Sequence, residues 1–324
     1  MGIAHGNGKG SGAAPVVVVA GPTASGKSAA ALAIAEALAG TVINADSMQI
    51  YRELPVLTAQ PGAAEMARVP HRLYGVLPAA ERCTAGRWRE MALAEIAAAH
   101  AANRLPVVVG GTGLYLRALI EGLAAVPPIP PEIRAETAAR HAALGSSAFH
   151  AELARLDPVM AERLAPGDTQ RVRRAYEVVR ATGRSIAEFH REMDRAPLTF
   201  VPILLMPPRD LLYAACERRC RAMLDSGAVE EVRRLLDQKL DPSLPAMKAV
   251  GVRELARHIA GEFDRAAALT LFAQATRQYA KRQYTWFRHQ LRAAQCWSAQ
   301  FSESLEPEII SFIRNCVDRA DSTV

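Results

Sequence analysis

Gly21-Pro22-Thr23-Ala24-Ser25-Gly26-Lys27-Ser28 follows the apolar run Val16 to Ala20 and leads into the Ala/Leu-rich segment Ala29 to Leu38. Strand, glycine loop and helix in that order carry the spacing G-x-x-x-x-G-K-[ST], the P-loop pattern of nucleotide-binding folds in the setting that gives it meaning. Glycines let the backbone turn tightly, so successive N–H groups point inward at a phosphate. The helix that follows adds the positive end of its dipole. Lys27 contributes a point charge, and the Ser28 hydroxyl is a candidate Mg²⁺ ligand. Gly21 through Ser28 is thus a polyphosphate cradle, whatever is done with the polyphosphate.

Further apolar strands surround the cradle. Thr41 to Asp46 reads as a second buried strand ending in an acid, expected beside the P-loop strand. A carboxylate at a strand's carboxyl end lies where open α/β sheets bind ligands; the alternative is a helix cap. Pro106 to Val109 is a third strand. It ends in Gly110-Gly111-Thr112-Gly113, where many P-loop enzymes carry a Mg²⁺-holding Asp. The glycines either open space for a bulky ligand or form a plain tight turn. Phe200 to Met206 is a fourth strand. The fold class is α/β: a P-loop NTPase-like parallel sheet flanked by helices, with an all-helical insertion. The core takes residues 15–126 and 197–315, and the insertion takes 127–196, opening at the stiff run Pro127-Pro128-Ile129-Pro130-Pro131.

Within the insertion, Glu132 to Leu144, Ser147 to Leu156 and Asp168 to Arg180 read as helices, the last stopped by Gly183. Arg171, Arg173, Arg174 and Arg180 lie off its apolar stripe, forming either a solvated face or a phosphate-binding one. Arg209 to Asp225 is a helix on which Arg219 falls beside apolar positions, asking for an anion or a structural ion pair. On the last long helix, about Asp264 to Gln290, Arg277, Lys281, Tyr284 and Arg288 share one face. That stripe suits a nucleic-acid backbone and an unstacked base, or else plain solvent.

The chain has 324 residues, half of them hydrophobic and 22% charged, with net charge +6 and pI about 9.2. That balance fits a globular chain of about two domains and permits a nucleic-acid partner. The five cysteines, Cys83, Cys216, Cys220, Cys296 and Cys316, include no C-x-x-C pair, which suits a reducing cytoplasm. Residues 1–14 read as a disordered glycine-rich tail. The short apolar run Ala13 to Ala20 enters the P-loop and is not taken as a signal peptide. No apolar stretch reaches the roughly 18 residues of a membrane span.

Six motifs together resemble the bacterial tRNA dimethylallyltransferase family. They are GPTASGKS (21–28), INADSMQIYR (43–52), VGGTGLYL (109–116), DTQRVRRA (168–175), MKAVGVRE (247–254) and TRQYAKRQYTWFR (276–288). Two departures stand out: Ser28 where the family usually has Thr, and Val252 where it often has Tyr. The resemblance implies a magnesium-dependent, monomeric prenyltransferase whose P-loop holds the diphosphate of dimethylallyl diphosphate. It implies Asp46 as general base on adenine N6, Thr112 at the reacting centre, and Lys27 and Arg219 on the diphosphate. It further implies tRNA contacts at Asp46, Ser47, Met48, Gln49, Thr112, Arg134, Gln170, Arg171, Val172, Arg173, Arg174, Lys248, Ala249, Val250, Gly251, Val252 and Arg253. Arg277 and Lys281 join them from the cationic stripe, and the insertion grips the anticodon stem-loop. Rival readings are a P-loop kinase, an isopentenyltransferase acting on free nucleotide, and a non-enzymatic RNA binder.

Overall fold

Valine alternation in the first strand sets the layering of the sheet. The computed structural model describes residues 15–322; the tail expected at residues 1–14 lies outside the described residues. In β1 (Val16–Ala20) successive side chains point to opposite faces. Val17 and Val19 pack with Ala30, Ala31 and Ile34 of the P-loop helix Lys27–Ala37, and with Ile309 and Ile313 of the C-terminal helix Glu306–Ser322. Val16 and Val18 face a larger core with Trp88, Leu116 and Phe272. A strand covered on both faces reads as continuous apolar sequence, as VVVVA does.

The other strands are β2 (Gly40–Asn44), β3 (His71–Arg72), β4 (Leu105–Gly110), β5 (Leu123–Ala124), β6 (Met193–Asp194), β7 (Phe200–Leu205) and β8 (Gln295–Trp297). Six of them form one parallel sheet in the order β3-β2-β4-β1-β7-β8. The strands beside β1 are therefore β4 and β7, and the strand that leads to the Asp46 loop, β2, lies one beyond β4; this corrects the expected adjacency. β4 is likewise the fourth strand in the chain, because β3 is too short to show a period.

By contact density the chain divides into two compact units: residues up to Ile120 with those from Pro197 onward, and Glu121–Ala196. The second unit opens ahead of the proline run and is not purely helical, since β5 and β6 pair antiparallel near its two ends. Its long helix Pro131–Leu156 is broken at Gly145, whose φ of 73° and ψ of 169° are not helical. Helix Thr169–Thr182 ends at Gly183, which caps it in the left-handed conformation.

Candidate active site

The cradle, the Asp46 loop and the loop after β4 all leave carboxyl ends of strands in the first unit. Gly26 sits at φ 85°, a conformation few side chains tolerate, and a Cβ there would lie 2.7 Å from the Phe301 Cβ. Phe301 donates its N–H to the Ser25 carbonyl, and Gln300 Nε2 donates to the Ala24 carbonyl at 2.9 Å. The chain after β8 thus props the cradle from behind. Ser25 is fully buried, and its hydroxyl has no hydrogen-bond partner among the described residues.

Lys27 Nζ donates to the Pro22 carbonyl at 3.3 Å. Burial pulls its ammonium down to about 8; Asp46 opposes that shift and Arg219 adds to it. Arg219 donates to the Thr58 carbonyl at 3.0 Å, and burial lowers its guanidinium as well, against the field of Asp46. No carboxylate makes a salt bridge to Arg219 among the described residues. Of its two alternatives, the structural ion pair is therefore absent, and the wish for an anion stands. Two desolvated cations share the field of one carboxylate, a surplus of positive charge that an anion would relieve.

Asp46 is held in place from behind. Asn44, fully buried, accepts the Asp46 N–H at 2.7 Å and donates to the Asp46 and Leu73 carbonyls at 3.1 and 3.0 Å. Asp46 Oδ1 accepts the Met48 N–H at 2.9 Å, a local turn that leaves Oδ2 for other work. Thr112 Oγ1 accepts the Ser47 N–H at 2.9 Å. A cavity of about 240 Å³ is lined by Thr23, Asp46, Ser47, Met48, Arg219, Lys248, Ala249, Tyr279 and Arg282, with an apolar wall of Leu57, Met223, Val250 and Phe272. Glu231, fully buried, caps the turn that carries Leu57 and Thr58: its two oxygens accept the Val56 and Leu57 N–H groups at 2.8 Å each. Burial pushes this carboxyl upward, and those two hydrogen bonds oppose the shift. Sequence reading missed Glu231 because its partners lie 175 and 174 residues away.

The glycines after β4 do not make room for a ligand, contrary to one of the two expectations. A Cβ at Gly110 would lie 2.2 Å from the Ala45 backbone, one at Gly111 2.3 Å from Gln283 Nε2, and one at Gly113 2.4 Å from the Trp286 ring. The protein itself fills that space.

The cationic stripe on helix Arg265–Gln290 is likewise not the face that lines the cavity. Phe272, Thr276, Tyr279 and Arg282 do so, and none of Arg277, Lys281, Tyr284 or Arg288 does. Tyr284 packs against the core with the Arg209 guanidinium 5.2 Å from its ring centroid, so one face of the ring is already taken. Gln49 turns to the Thr58 and Ala59 carbonyls. Val252 and Val172 are core side chains, which leaves only their backbones to meet another molecule. Gly251 starts a helix at φ 100° with Phe272 and Leu57 against it, while Arg253 is exposed. In the second unit Arg134, Gln170 and Arg171 are exposed, and Arg173 and Arg174 are half-buried. Arg171, Arg174 and Arg180 are paired with Asp168, Glu177 and Glu136.

Two family descriptions match the chain: IPP transferase over residues 49–290 and Isopentenyl transferase over residues 14–78. A protein of Rhodospirillum centenum named tRNA dimethylallyltransferase is 60% identical over 283 residues, covering 86% of this chain and 90% of its own. One of the same name from Paramagnetospirillum magneticum is 54% identical, covering 93% and 96%. Among solved structures, the full-length tRNA isopentenylpyrophosphate transferase of Bacillus halodurans is 31% identical with TM-score 0.70, covering 95% of this chain and 98% of that one. A eukaryotic dimethylallyltransferase acting on tRNA, at 23% identity and TM-score 0.81, shares the fold over 94% of this chain and 79% of that one. A glycine-rich loop of P-loop spacing, one carboxylate whose field reaches two desolvated cations, and a family match that spans most of the chain agree: this protein belongs to the IPP transferase family.

Proposed function

We propose that the protein transfers a dimethylallyl group from dimethylallyl diphosphate to N6 of adenosine 37, beside the anticodon of tRNAs that read codons beginning with U. The observation that carries this reading is the field of Asp46 on two desolvated cations, Lys27 and Arg219, beside a cavity that Asp46 and Arg219 line together with an apolar wall of Leu57, Met223, Val250 and Phe272. Cations suit a leaving diphosphate, the carboxylate suits a proton, and the apolar wall suits a five-carbon tail.

The bookkeeping of the step is simple. The N6 lone pair forms a bond to C1 of the allyl group, and the C1–O bond breaks with its electrons going to the diphosphate. Asp46 takes the N6 proton, a transfer of the kind worth about 10²–10⁴ in rate. Lys27, Arg219 and the cradle N–H groups stabilise the charge that grows on the leaving oxygen. The target base must leave its stack to reach Asp46, which Arg282 and Lys248 on the cavity lining favour by attracting phosphate. The arginines of helix Thr169–Thr182 would take phosphates of the anticodon stem.

Magnesium fits this donor set. Among the described residues no cluster of three His, Cys, Asp or Glu could cage a metal, and Mg²⁺ with a phosphate substrate needs only one or two protein ligands. Ser28, exposed on the first helical turn, would hold the ion, which supplies charge neutralisation on the diphosphate. An RNA acceptor places the work in the cytoplasm; no helix among the described residues is long and apolar enough to cross a membrane.

Incubation with unmodified tRNA and dimethylallyl diphosphate, followed by mass analysis of nucleosides, should reveal prenylated adenosine. Unchanged tRNA, or phosphoryl transfer from ATP to a small acceptor at an enzymatic rate, would refute the reading. Free AMP should stay unprenylated under the same conditions.

A further inference from the structure

Gln283 lies on helix Arg265–Gln290 and is only 6% exposed. Its amide joins loops from two different strands. Oε1 accepts the Thr23 N–H in the cradle at 2.8 Å, and Nε2 donates to the Gly111 carbonyl beyond β4, also at 2.8 Å. One turn earlier on the same helix, the Tyr279 hydroxyl lies near both Gln283 and Thr112. Thr112 in turn holds the Ser47 N–H, next to Asp46. The missing Cβ of Gly111 is what admits the amide, since that atom would lie 2.3 Å from Nε2.

We propose that Gln283 is a positioning residue for the transfer: the strut that sets the separation between the phosphate cradle and the loop carrying Thr112. The proposal rests on the reading that the cradle holds the leaving group and that the Asp46 side receives the nucleophile. Thr23 and Gly111 both lie outside helix and strand, so the sheet alone does not fix how far apart they stand. Reacting atoms must meet at about 3–3.5 Å, and a misplacement near 1 Å costs on the order of 10²-fold. Gln283 is not on the cavity lining, so it acts through the two loops and not on a substrate. Its chemistry is specific. A glutamine has one acceptor and one donor at the same reach, whereas Glu has no donor for Gly111 and Met has neither group.

The test is Q283M, which keeps the length and removes both bonds, together with G111A, which displaces the amide without deleting it. Expected for Q283M is a fall in kcat of about 10–100-fold, with the tRNA dissociation constant within about threefold of wild type and a cooperative thermal transition retained. Hydrogen exchange should quicken in peptides covering 21–28 and 110–113, and not in β1 or β7. G111A should lower kcat in the same way, and the double variant should be no worse than Q283M alone. A folded Q283M with wild-type kcat and both loops still protected would overturn the proposal. So would losses that multiply in the double variant, since independent defects add in free energy. Should Q283M not fold, G111A carries the same expectations for kcat and exchange. If the wild-type protein prenylates no RNA, the functional reading fails, and exchange in the two loops still decides the strut.

Discussion

Positive charge occurs in two different settings in this molecule. In the sheet unit Lys27 and Arg219 are half-buried with their charges desolvated by the protein around them, and Asp46 is the carboxylate whose field reaches both. On helix Thr169–Thr182 the arginines are more exposed, and three of them already hold acids: Arg171 with Asp168 at 3.4 Å, Arg174 with Glu177 at 3.7 Å, and Arg180 with Glu136 at 3.4 Å. A buried charge that the fold leaves unneutralised is costly, and a ligand removes the cost. An exposed pair is worth about 0–1 kcal/mol, so trading its acid for a phosphate changes little. The first setting suits an anion held in place. The second is suited to adjustable, salt-sensitive contact.

The largest effect that separates the two settings is expected at Asp46. D46A should lower kcat about 10²–10⁴-fold while RNA binding, measured by filter retention, is largely kept. Prenylation at the wild-type rate in that variant would remove the base assignment and with it the contrast. Next comes Arg219. R219Q removes the donor proposed to stabilise the leaving group, so kcat should fall about 10²–10³-fold. Substituting Arg180 on the insertion should leave kcat alone. If both arginines prove equally dispensable for turnover, burial without an acid does not mark the reacting centre.

How much of this was legible in the sequence depended on how far apart the partners lie. The P-loop reads directly because its logic is local: eight consecutive residues after an apolar strand, Gly21 to Ser28. Asp46 is legible as a candidate for the same reason, two residues past the end of a visible strand. Strand order was not legible. A parallel sheet joins strands through crossovers, and nothing in Thr41 to Asp46 says that β4 will slide between β2 and β1. β3 and β8, two and three residues long, show no period at all. The most instructive miss lies on helix Arg265–Gln290. Charge is conspicuous in a sequence, so Arg277, Lys281 and Arg288 drew the eye as the working face. Phe272 and Thr276 sit at packing positions and no spacing marks Tyr279 or Gln283, yet Phe272, Thr276 and Tyr279 line the cavity and Gln283 bonds the loops at Thr23 and Gly111. Gln283 meets Thr23 across 260 residues, a distance no spacing rule covers. The glycines of 110–113 were legible as unusual, but the atoms that occupy their missing side chains belong to Ala45, Gln283 and Trp286.

A smaller effect concerns pH. Lys27 is pulled to about 8, below its ordinary value, chiefly by burial. The sign follows from which form each state prefers. The fold favours the neutral amine, so its penalty is complete below about pH 8 and is relieved as pH rises toward the unfolded value. An anion favours the ammonium, so its affinity runs the other way and falls as pH rises through about 8. Calorimetry with inorganic diphosphate at pH 7 and 9, each referred to K27M to cancel the ligand's own titration, should show a loss approaching about tenfold per pH unit above the midpoint. Equal pH profiles for the two proteins would mean that the buried amine does not sense the anion. RNA contact through the insertion arginines should show no such midpoint, because guanidinium stays charged throughout.

The smallest expected effect tests the other setting. Glu177 competes with phosphate for Arg174 across 3.7 Å. E177Q removes the competitor, and because a surface pair is worth so little, stability should change by less than about 1 kcal/mol. RNA affinity at low salt should rise, by at most about fivefold for a pair of that strength. The slope of log affinity against log salt should steepen by about one, the signature of one more phosphate neutralised. R174A should move both quantities in the opposite direction and leave kcat at saturating tRNA unchanged. An unchanged slope in both variants would mean that Arg174 faces water, not RNA. The arginines of Thr169–Thr182 would then be a solvated helix face, and the grip on the acceptor would have to come from Lys248 and Arg282 on the cavity lining of the sheet unit.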